Sequence, residues 1–440
     1  MMKKMILWLQ VFVSGLLFSA NIAIIMPDNA SVQEKHATKE LIEHLQMAGH
    51  RVETGQPDTA TDEWLLLHVG KSKLAAQMNV NLAGFSAEEW LIQAYDAKNC
   101  LIAGGEPRGT VYAALEFLER FAGVIWMDEW STHVPVRQPL KWDPALKLRG
   151  QPAIEWRCIH AYFKAPHHGR VKFMARNRQN FFHEENNLPG IADFGITRLI
   201  GLPRSCHTFY NYSKDWSEVD EDCFSLSASG QRLRATSSSG PGQVCLTNPR
   251  TRKLFTEKLR FFIAKDRANV AAGSWPVLYD ISANDNNSKC ECSACTAAAE
   301  KYQSYGGVVL EFINAIAREI ADEYPEVKLQ TFAYMFAQWA PQGIKAEPNV
   351  IVRLAQLGTE WGIGNRDSLR SLTHPNNLES LTQLKAWSKL STVSMWDYWV
   401  MFCRKGNPPS VNLLAIAENL RIYAEHGVWF HVDGAHSGAM

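Results

Sequence analysis

An acid and an amide stand side by side at Asn284-Asp285, and three thiols follow closely at Cys290-x-Cys292-x-x-Cys295. A carboxyl held near a bond to be broken can give or take a proton, and a neighbouring amide can orient a polar substrate group. The pair is delivered by an apolar run, Val277 to Ala283, whose length and bounds suit a buried strand. Alternation along that run puts Ile281, Ala283 and Asp285 on one face and Asp280, Ser282 and Asn284 on the other. Asp280 therefore falls mid-strand, while Asn284 and Asp285 reach the rim.

Thiols at this spacing have two readings. They form a local disulfide or pack inertly, or Cys290, Cys292 and Cys295 are three ligands of a structural metal whose fourth comes from elsewhere, for example Cys245 or a histidine. The chain has nine cysteines, an odd number, so at least one thiol stays free or binds something. No other cofactor is required by any motif present. The Gly104-Gly105-Glu-Pro-Arg108-Gly109 turn does not fit the dinucleotide fingerprint.

The elements that must position such residues recur at barrel spacing. Eight strand-like runs follow one another with helical stretches between them: Ala153 to His160, Gln179 to His183, Leu199 to Pro203, Val277 to Ala283, Leu329 to Met335, Val350 to Gln356, Thr392 to Trp399 and Val428 to Val432. The clearest helix carries Val308, Phe312, Ile316 and Ile320 on one face. Eight strands predict a (β/α)8 barrel over residues 150–440, with its site at the strand ends. Those ends hold His183 and Glu184-Glu185, His207, Asn284-Asp285, Tyr334, Trp396-Asp397-Tyr398 and Asp433. Acids, histidines and aromatic rings converge there, and no serine elbow, H-E-x-x-H or phosphate loop competes. Hydrolysis of a glycosidic bond by carboxylates is the chemistry that fits.

Ahead of the barrel, residues 21–135 alternate strand and helix as a small α/β domain, and a Pro-punctuated linker follows. Residues 1–20 have the charged, apolar and small-residue layout of a secretory signal, which implies export to a periplasm or the exterior and no integral membrane segment once it is removed. Lys+Arg and Asp+Glu both number 45, so a nucleic-acid or anionic-membrane partner is not expected. Fifteen Trp in a chain that is 11% aromatic suit sugar faces as well as cores. The chain stops directly after the eighth strand, so the closing helix and any C-terminal module are expected to be missing.

The succession His207-Thr208-Phe209, Cys245-Leu-Thr-Asn248-Pro249, Ser282-Ala-Asn284-Asp285 with the cysteine block, Thr331-Phe-Ala-Tyr334 and Trp396-Asp397-Tyr398 resembles a bacterial carbohydrate-active family. Its characterised members are endo-β-N-acetylglucosaminidases that release complex N-glycans. The likeness runs from Ala153 to the end, and the preceding domain is similar to the one that introduces hexosaminidase and α-glucuronidase barrels. The resemblance implies retaining hydrolysis in which the substrate's own 2-acetamido oxygen attacks the anomeric carbon. In that scheme Asp285 is the general acid/base and Asn284 positions the acetamido group. Otherwise Asp285 orients the acetamido and Glu184, Glu185, Asp397 or Asp433 supplies the acid. His207, Tyr334, Tyr398, Trp396, Glu184, His183 and Asp433 are the candidate sugar contacts. Two other readings remain open: an exo-acting α-glucuronidase-like hydrolase, which needs a basic pocket from residues such as Arg157, Arg204 and Arg353, and a non-catalytic carbohydrate-binding barrel.

Overall fold

A computed structural model describes residues 20–57, 64–136, 138–162, 167–181, 191–196, 200–271, 275–355, 367, 370–398 and 413–436. The stretch read as a secretory signal, apart from Ala20, lies outside them. The chain divides into two compact units, residues 1–151 with 193–195, and residues 152–192 with 196–440.

The first unit is an α/β sheet built from β1 (Asn21–Ile25), β2 (Arg51–Thr54), β3 (Trp64–Val69), β4 (Trp90–Ala94) and β5 (Asn99–Gly104), with a small hairpin of β6 (Ile125–Trp126) and β7 (Thr132–His133) and a last strand, β8 (Lys147–Gly150). The sheet order is β2-β1-β3-β5-β4-β8. β8 pairs antiparallel with β4, so the stretch read as a linker supplies an edge strand. Helices α1 (Val32–Met47), α2 (Lys73–Gln77) and α3 (Gly109–Ala122) accompany it. α1 starts where it does because Ser31 and Glu34 cap each other: the Glu34 N–H donates to Ser31 Oγ at 3.1 Å and the Ser31 N–H donates to Glu34 Oε2 at 2.7 Å. The glycine turn after β5 serves packing. A Cβ on Gly104 would lie 2.2 Å from the Gly109 carbonyl carbon, and one on Gly105 1.9 Å from the Ser86 oxygen, so the turn is filled by its own backbone and by that of the segment ahead of β4.

The second unit carries the parallel sheet. Its strands are β9 (Arg157–Tyr162), β12 (Leu278–Asp280), β13 (Lys328–Ala333), β14 (Val350–Ala355), β15 (Thr392–Tyr398) and β16 (Trp429–His436), and a separate hairpin is formed by β10 (Ser225–Leu226) and β11 (Arg232–Leu233). The order is β12-β13-β14-β15-β16-β9, all parallel, so the last strand lies beside the first. Helices α4 (His167–Arg176), α5 (Phe209–Ser213), α6 (Pro249–Asn269), α7 (Ser293–Tyr302), α8 (Tyr305–Ile320), α9 (Leu378–Trp387) and α10 (Leu413–Glu425) lie between the strands of the sheet, except that β13 and β14 are joined without an α-helix. α6 is fixed at its start by Asn248, whose side-chain oxygen accepts from the Arg250 N–H at 2.8 Å, and by Pro249 in the first turn. Val308, Phe312, Ile316 and Ile320 are the buried stripe of α8.

The eight-stranded expectation is met in part. The second run forms no strand over its described residues. Asn180 replaces ladder bonds with its side chain: its N–H donates to Arg157 O at 3.0 Å, and its amide oxygen accepts from the Arg157 N–H at 2.8 Å. The third run shrinks to a single parallel bridge between Ile200 and Leu278. A short run broken by Gly201 and Pro203 has little backbone left to pair. Both segments flank the sheet in barrel order, and among the described residues no pairing joins one to the other.

The sheet has two faces with different company. Val352, Leu354, Val393 and Met395 join the large core that the helices cover, together with Phe209, Phe255 and Phe312. Phe332, Ala355 and Trp396, with Cys206 and Tyr334, form a separate cluster on the other face.

Candidate active site

The rim after β12 is assembled by hydrogen bonds between two of the motifs singled out in the sequence. Thr208 Oγ1 donates to the Asp280 carbonyl at 2.9 Å and accepts from the Ser282 N–H at 3.1 Å. The Phe209 N–H donates to Ser282 O at 2.9 Å, and the Tyr210 N–H to the Asn284 side-chain oxygen at 2.8 Å. His207 adopts a positive φ of 56°. That left-handed conformation costs a non-glycine residue about 1–2 kcal/mol and persists only where surroundings enforce it. Here the His207 N–H donates to Ser282 Oγ at 2.9 Å, and Nδ1 meets the Ala283 carbonyl at 2.8 Å.

From the other side, the segment before α6 clamps the same loop. Gln243 accepts from the Asn284 N–H at 2.9 Å through its side-chain oxygen and donates to Asn284 O at 2.9 Å through its nitrogen. The Asp285 N–H donates to Ser238 O at 2.7 Å. Asn284 is 2% exposed, and its amide nitrogen donates to Gly242 O at 3.1 Å. Both ends of the Asn284 amide are thus used by backbone, which makes it a brace of the loop and leaves Asp285 as the group presented outward.

The Asp285 side chain is 39% exposed. Its Oδ1 accepts from the Tyr334 hydroxyl at 3.0 Å and lies 3.9 Å from His207 Nε2. Because a carbonyl can only accept, the His207 Nδ1 that meets Ala283 O carries a proton, and in the neutral ring Nε2 is left as an acceptor facing the carboxylate. The two groups are complementary when one proton lies between them. Burial, reinforced by the Asp285 charge, pushes the Tyr334 phenol well above its ordinary range, so it stays a donor.

Beneath this rim lies an aromatic floor. The His207 ring stacks on Phe332 at 5.0 Å and 24°, and Phe332 meets Trp396 edge-on at 5.9 Å. The Arg353 guanidinium, 2% exposed, sits 5.6 Å from the Phe332 ring and 5.3 Å from that of Trp396. Asp280 is buried below. Burial raises its carboxyl, opposed by the Arg353 charge and by donors from Ser282 and Gln330, the latter at 3.1 Å.

The structure therefore brings together Asp285, His207, Tyr334 and Trp396, with Trp396 only 6% exposed and acting as floor. It does not bring Asp397 to them. Alternation along β15 puts Asp397 on the opposite face from Trp396, where it is fully buried and accepts from the Tyr423 hydroxyl of α10 at 2.8 Å. Asp397 therefore stands away from the rim on which Asp285 is presented. Asp433 pairs in register with Tyr398 and His160 across β15, β16 and β9. His183, Glu184 and Glu185 lie outside the described residues. The three arginines considered for a uronate pocket are dispersed. Arg204 pairs with Asp266 of α6 at 2.8 Å, Arg157 donates to backbone oxygens before and after its strand, and Arg353 is held between rings. Gln243 was not foreseen, since an isolated residue of this type carries no spacing signal.

The cysteine block also closes on a fourth thiol. The sulfurs of Cys245, Cys290, Cys292 and Cys295 all lie within 4.8 Å of one another. Cys245 Sγ is 3.7 Å from Cys292 Sγ and 3.8 Å from Cys295 Sγ. Among the described residues, no helix is long and apolar enough to cross a membrane.

A family profile described as a domain of unknown function, DUF4838, matches residues 126–437. No curated protein matches the chain. Among solved structures, the chain is similar to a GH115 4-O-methyl-α-glucuronidase with specificity for decorated arabinogalactans, at a TM-score of 0.50 and 11% identity, covering 94% of this chain and 54% of that one. It is also similar to CpGH84D, at a TM-score of 0.41 and 10% identity over 95% of this chain and 63% of the other. A GH138 enzyme targeting pectin rhamnogalacturonan II matches at a TM-score of 0.37 and 12% identity, over 94% of this chain and 46% of the other. This chain thus spans roughly half the length of the first of these structures. Its fold is a mixed α/β fold of the kind found in glycoside hydrolases.

Proposed function

Because the chain belongs to the DUF4838 family and shares the fold of glycoside hydrolases, we propose that it is a glycoside hydrolase, and more narrowly an endo-β-N-acetylglucosaminidase acting on N-glycans in an exported setting. The observation that carries the reading is the half-exposed Asp285 carboxylate at the end of a parallel strand, held at 3.0 Å by Tyr334 and faced at 3.9 Å by the acceptor nitrogen of His207. Strand ends are where barrel enzymes place their chemistry, and the proposal completes the parallel sheet as an eight-stranded barrel.

In this reading Asp285 begins protonated. The bond from the anomeric carbon to the leaving oxygen breaks as that oxygen takes the Asp285 proton, while the substrate's acetamido oxygen forms a bond to the same carbon. Water then attacks the anomeric carbon, its proton passes to the Asp285 carboxylate, and the acetamido ring reopens. Tyr334 holds Oδ1, which leaves Oδ2 for the glycosidic oxygen. His207 is close enough for one sugar hydroxyl to touch both it and Asp285. Asn284 serves the loop, so the group that orients the acetamido is another, with Asp433 and Tyr398 as the candidates by register.

The test is incubation with a glycoprotein bearing complex N-glycans, comparing the native chain with Asp285→Asn by mass spectrometry of released sugars. Release by the native chain that is lost in the variant is the expected result. Equal release by both removes Asp285 from the acid role. Glycan binding without release by the native chain favours a carbohydrate-binding barrel.

A further inference from the structure

The four thiols of Cys245, Cys290, Cys292 and Cys295 have the dimensions of a metal site. In a tetrahedron with metal–sulfur bonds of ~2.3 Å, neighbouring sulfurs are about 3.8 Å apart. Cys245 stands 3.7 Å from Cys292 and 3.8 Å from Cys295, and the whole set fits within 4.8 Å. Sulfurs joined in a disulfide stand at about 2.05 Å, so these spacings describe facing, unbridged sulfurs. We infer that the second unit holds one zinc ion in a tetrathiolate site formed by Cys245, Cys290, Cys292 and Cys295, and that this ion fixes the Asp285 loop.

The surroundings suit a site of net negative charge. Binding a divalent ion to four thiols releases four protons to solvent and leaves two excess negative charges. The Leu226 N–H points at Cys290 Sγ from 3.3 Å, and the Arg232 guanidinium reaches it at 4.0 Å. Thr247 Oγ1 lies 3.2 Å from Cys295 Sγ and 3.6 Å from Cys245 Sγ. Donors of this kind orient and tune metal ligands from outside. Cys290 and Cys295 are 2% and 0% exposed, and Cys245 is 4% exposed, so the ion would be closed to a substrate and serve structure.

The topology says what it would hold. Cys245 ends the segment in which Ser238, Gly242 and Gln243 clamp Asn284 and Asp285. Cys290, Cys292 and Cys295 follow Asp285 on its own loop and run into α7. Beside these two segments, β10 also holds the cysteine loop, where the Glu291 N–H donates to Leu226 O at 2.7 Å. A single ion bonded to both would close the clamp at its far end.

The native chain, purified without chelator or reductant, should contain one zinc per chain by plasma mass spectrometry. Titration with an organomercurial should release that zinc as four thiols are consumed. Cobalt exchanged into the native chain should show the intense visible bands of a tetrahedral tetrathiolate, a readout that depends on no variant folding. In Cys245→Ser, zinc content should fall below about a tenth of an equivalent, and amide exchange around residues 284–292 should quicken. Disulfides among these cysteines in the native chain would overturn the inference. So would stoichiometric iron in place of zinc, or cobalt that binds without those bands. None of these measurements involves glycan release, so the metal and the proposed activity stand or fall separately.

Discussion

Asp285 and Asp397 both follow an apolar run at the far end of a parallel strand, yet their surroundings differ completely. Asp285 comes out of its strand into a loop that two other segments grip, and its carboxylate stands partly open between Tyr334 and His207. Asp397 falls within β15, is fully buried, and spends its charge on the Tyr423 hydroxyl of α10. A carboxylate carried into a loop past the end of β12 can meet a substrate, whereas one held in register within β15 ties a helix to the sheet. A polar residue near a strand end is therefore a site candidate when the chain has left the strand register and presents it to solvent beside the ring cluster.

The sharpest way to break the comparison is to neutralise each acid in turn. Asp285→Asn should lower hydrolysis by about 10²–10⁴-fold, the usual worth of a general acid, with melting shifted little because the side chain is partly exposed. Tyr334→Phe should follow with a loss of roughly 10-fold in kcat/KM, since a hydrogen bond to a charged group is worth about 1.5–3 kcal/mol. If Tyr334→Phe leaves the rate untouched, its contact with Asp285 does not serve the reaction. Asp397→Ala should behave in the opposite way, costing about 1–3 kcal/mol in denaturant unfolding while the folded fraction keeps its turnover. A large kcat loss there, with stability intact, would erase the distinction.

Asp280 gives the smallest and most specific effect. Its carboxyl is raised by burial, so the folded state holds the proton more tightly than the unfolded chain does. Stability from this group is accordingly greatest at low pH and declines as pH rises from the unfolded carboxylate range to the folded value. Asp280→Asn should flatten that part of the stability profile when unfolding is followed across mildly acidic pH. An unchanged slope would mean that Arg353 already compensates the charge.

How much of this could be read from the chain alone depended on whether the signal was periodic. The stripe of α8 and the apolar runs of β12 to β16 have regular spacing, and they fold as that spacing requires. His207, Tyr334 and Asp285 sit at strand ends, where position alone makes them candidates. Cys245 was one of several possible fourth partners, and only folding could choose it. Asn284 looked like a substrate contact because its amide is versatile, but the loop needs that amide twice for its own backbone. Gln243 lies in a glycine-rich stretch with no periodicity, so nothing in its neighbours announces that it braces the acid. Asn180 misled the strand count, because a side chain there takes over a bond that backbone would otherwise make.

The pairing of β9 with β16 has a kinetic side. Arg157 lies against Phe430, so one edge of the first strand finds its partner only after nearly all of the unit's chain exists. Closing so long a loop costs more entropy than any neighbouring strand pair demands, and contacts of this range slow folding. Sheet growth from β12 towards β16 can proceed between strands close in sequence, whereas the joint at β9 must come late. The slow step in refolding should therefore be the protection of the β9 amides that face β16, well after those of β13 and β14 have closed, while the Arg157 N–H, held by Asn180, need not wait for it.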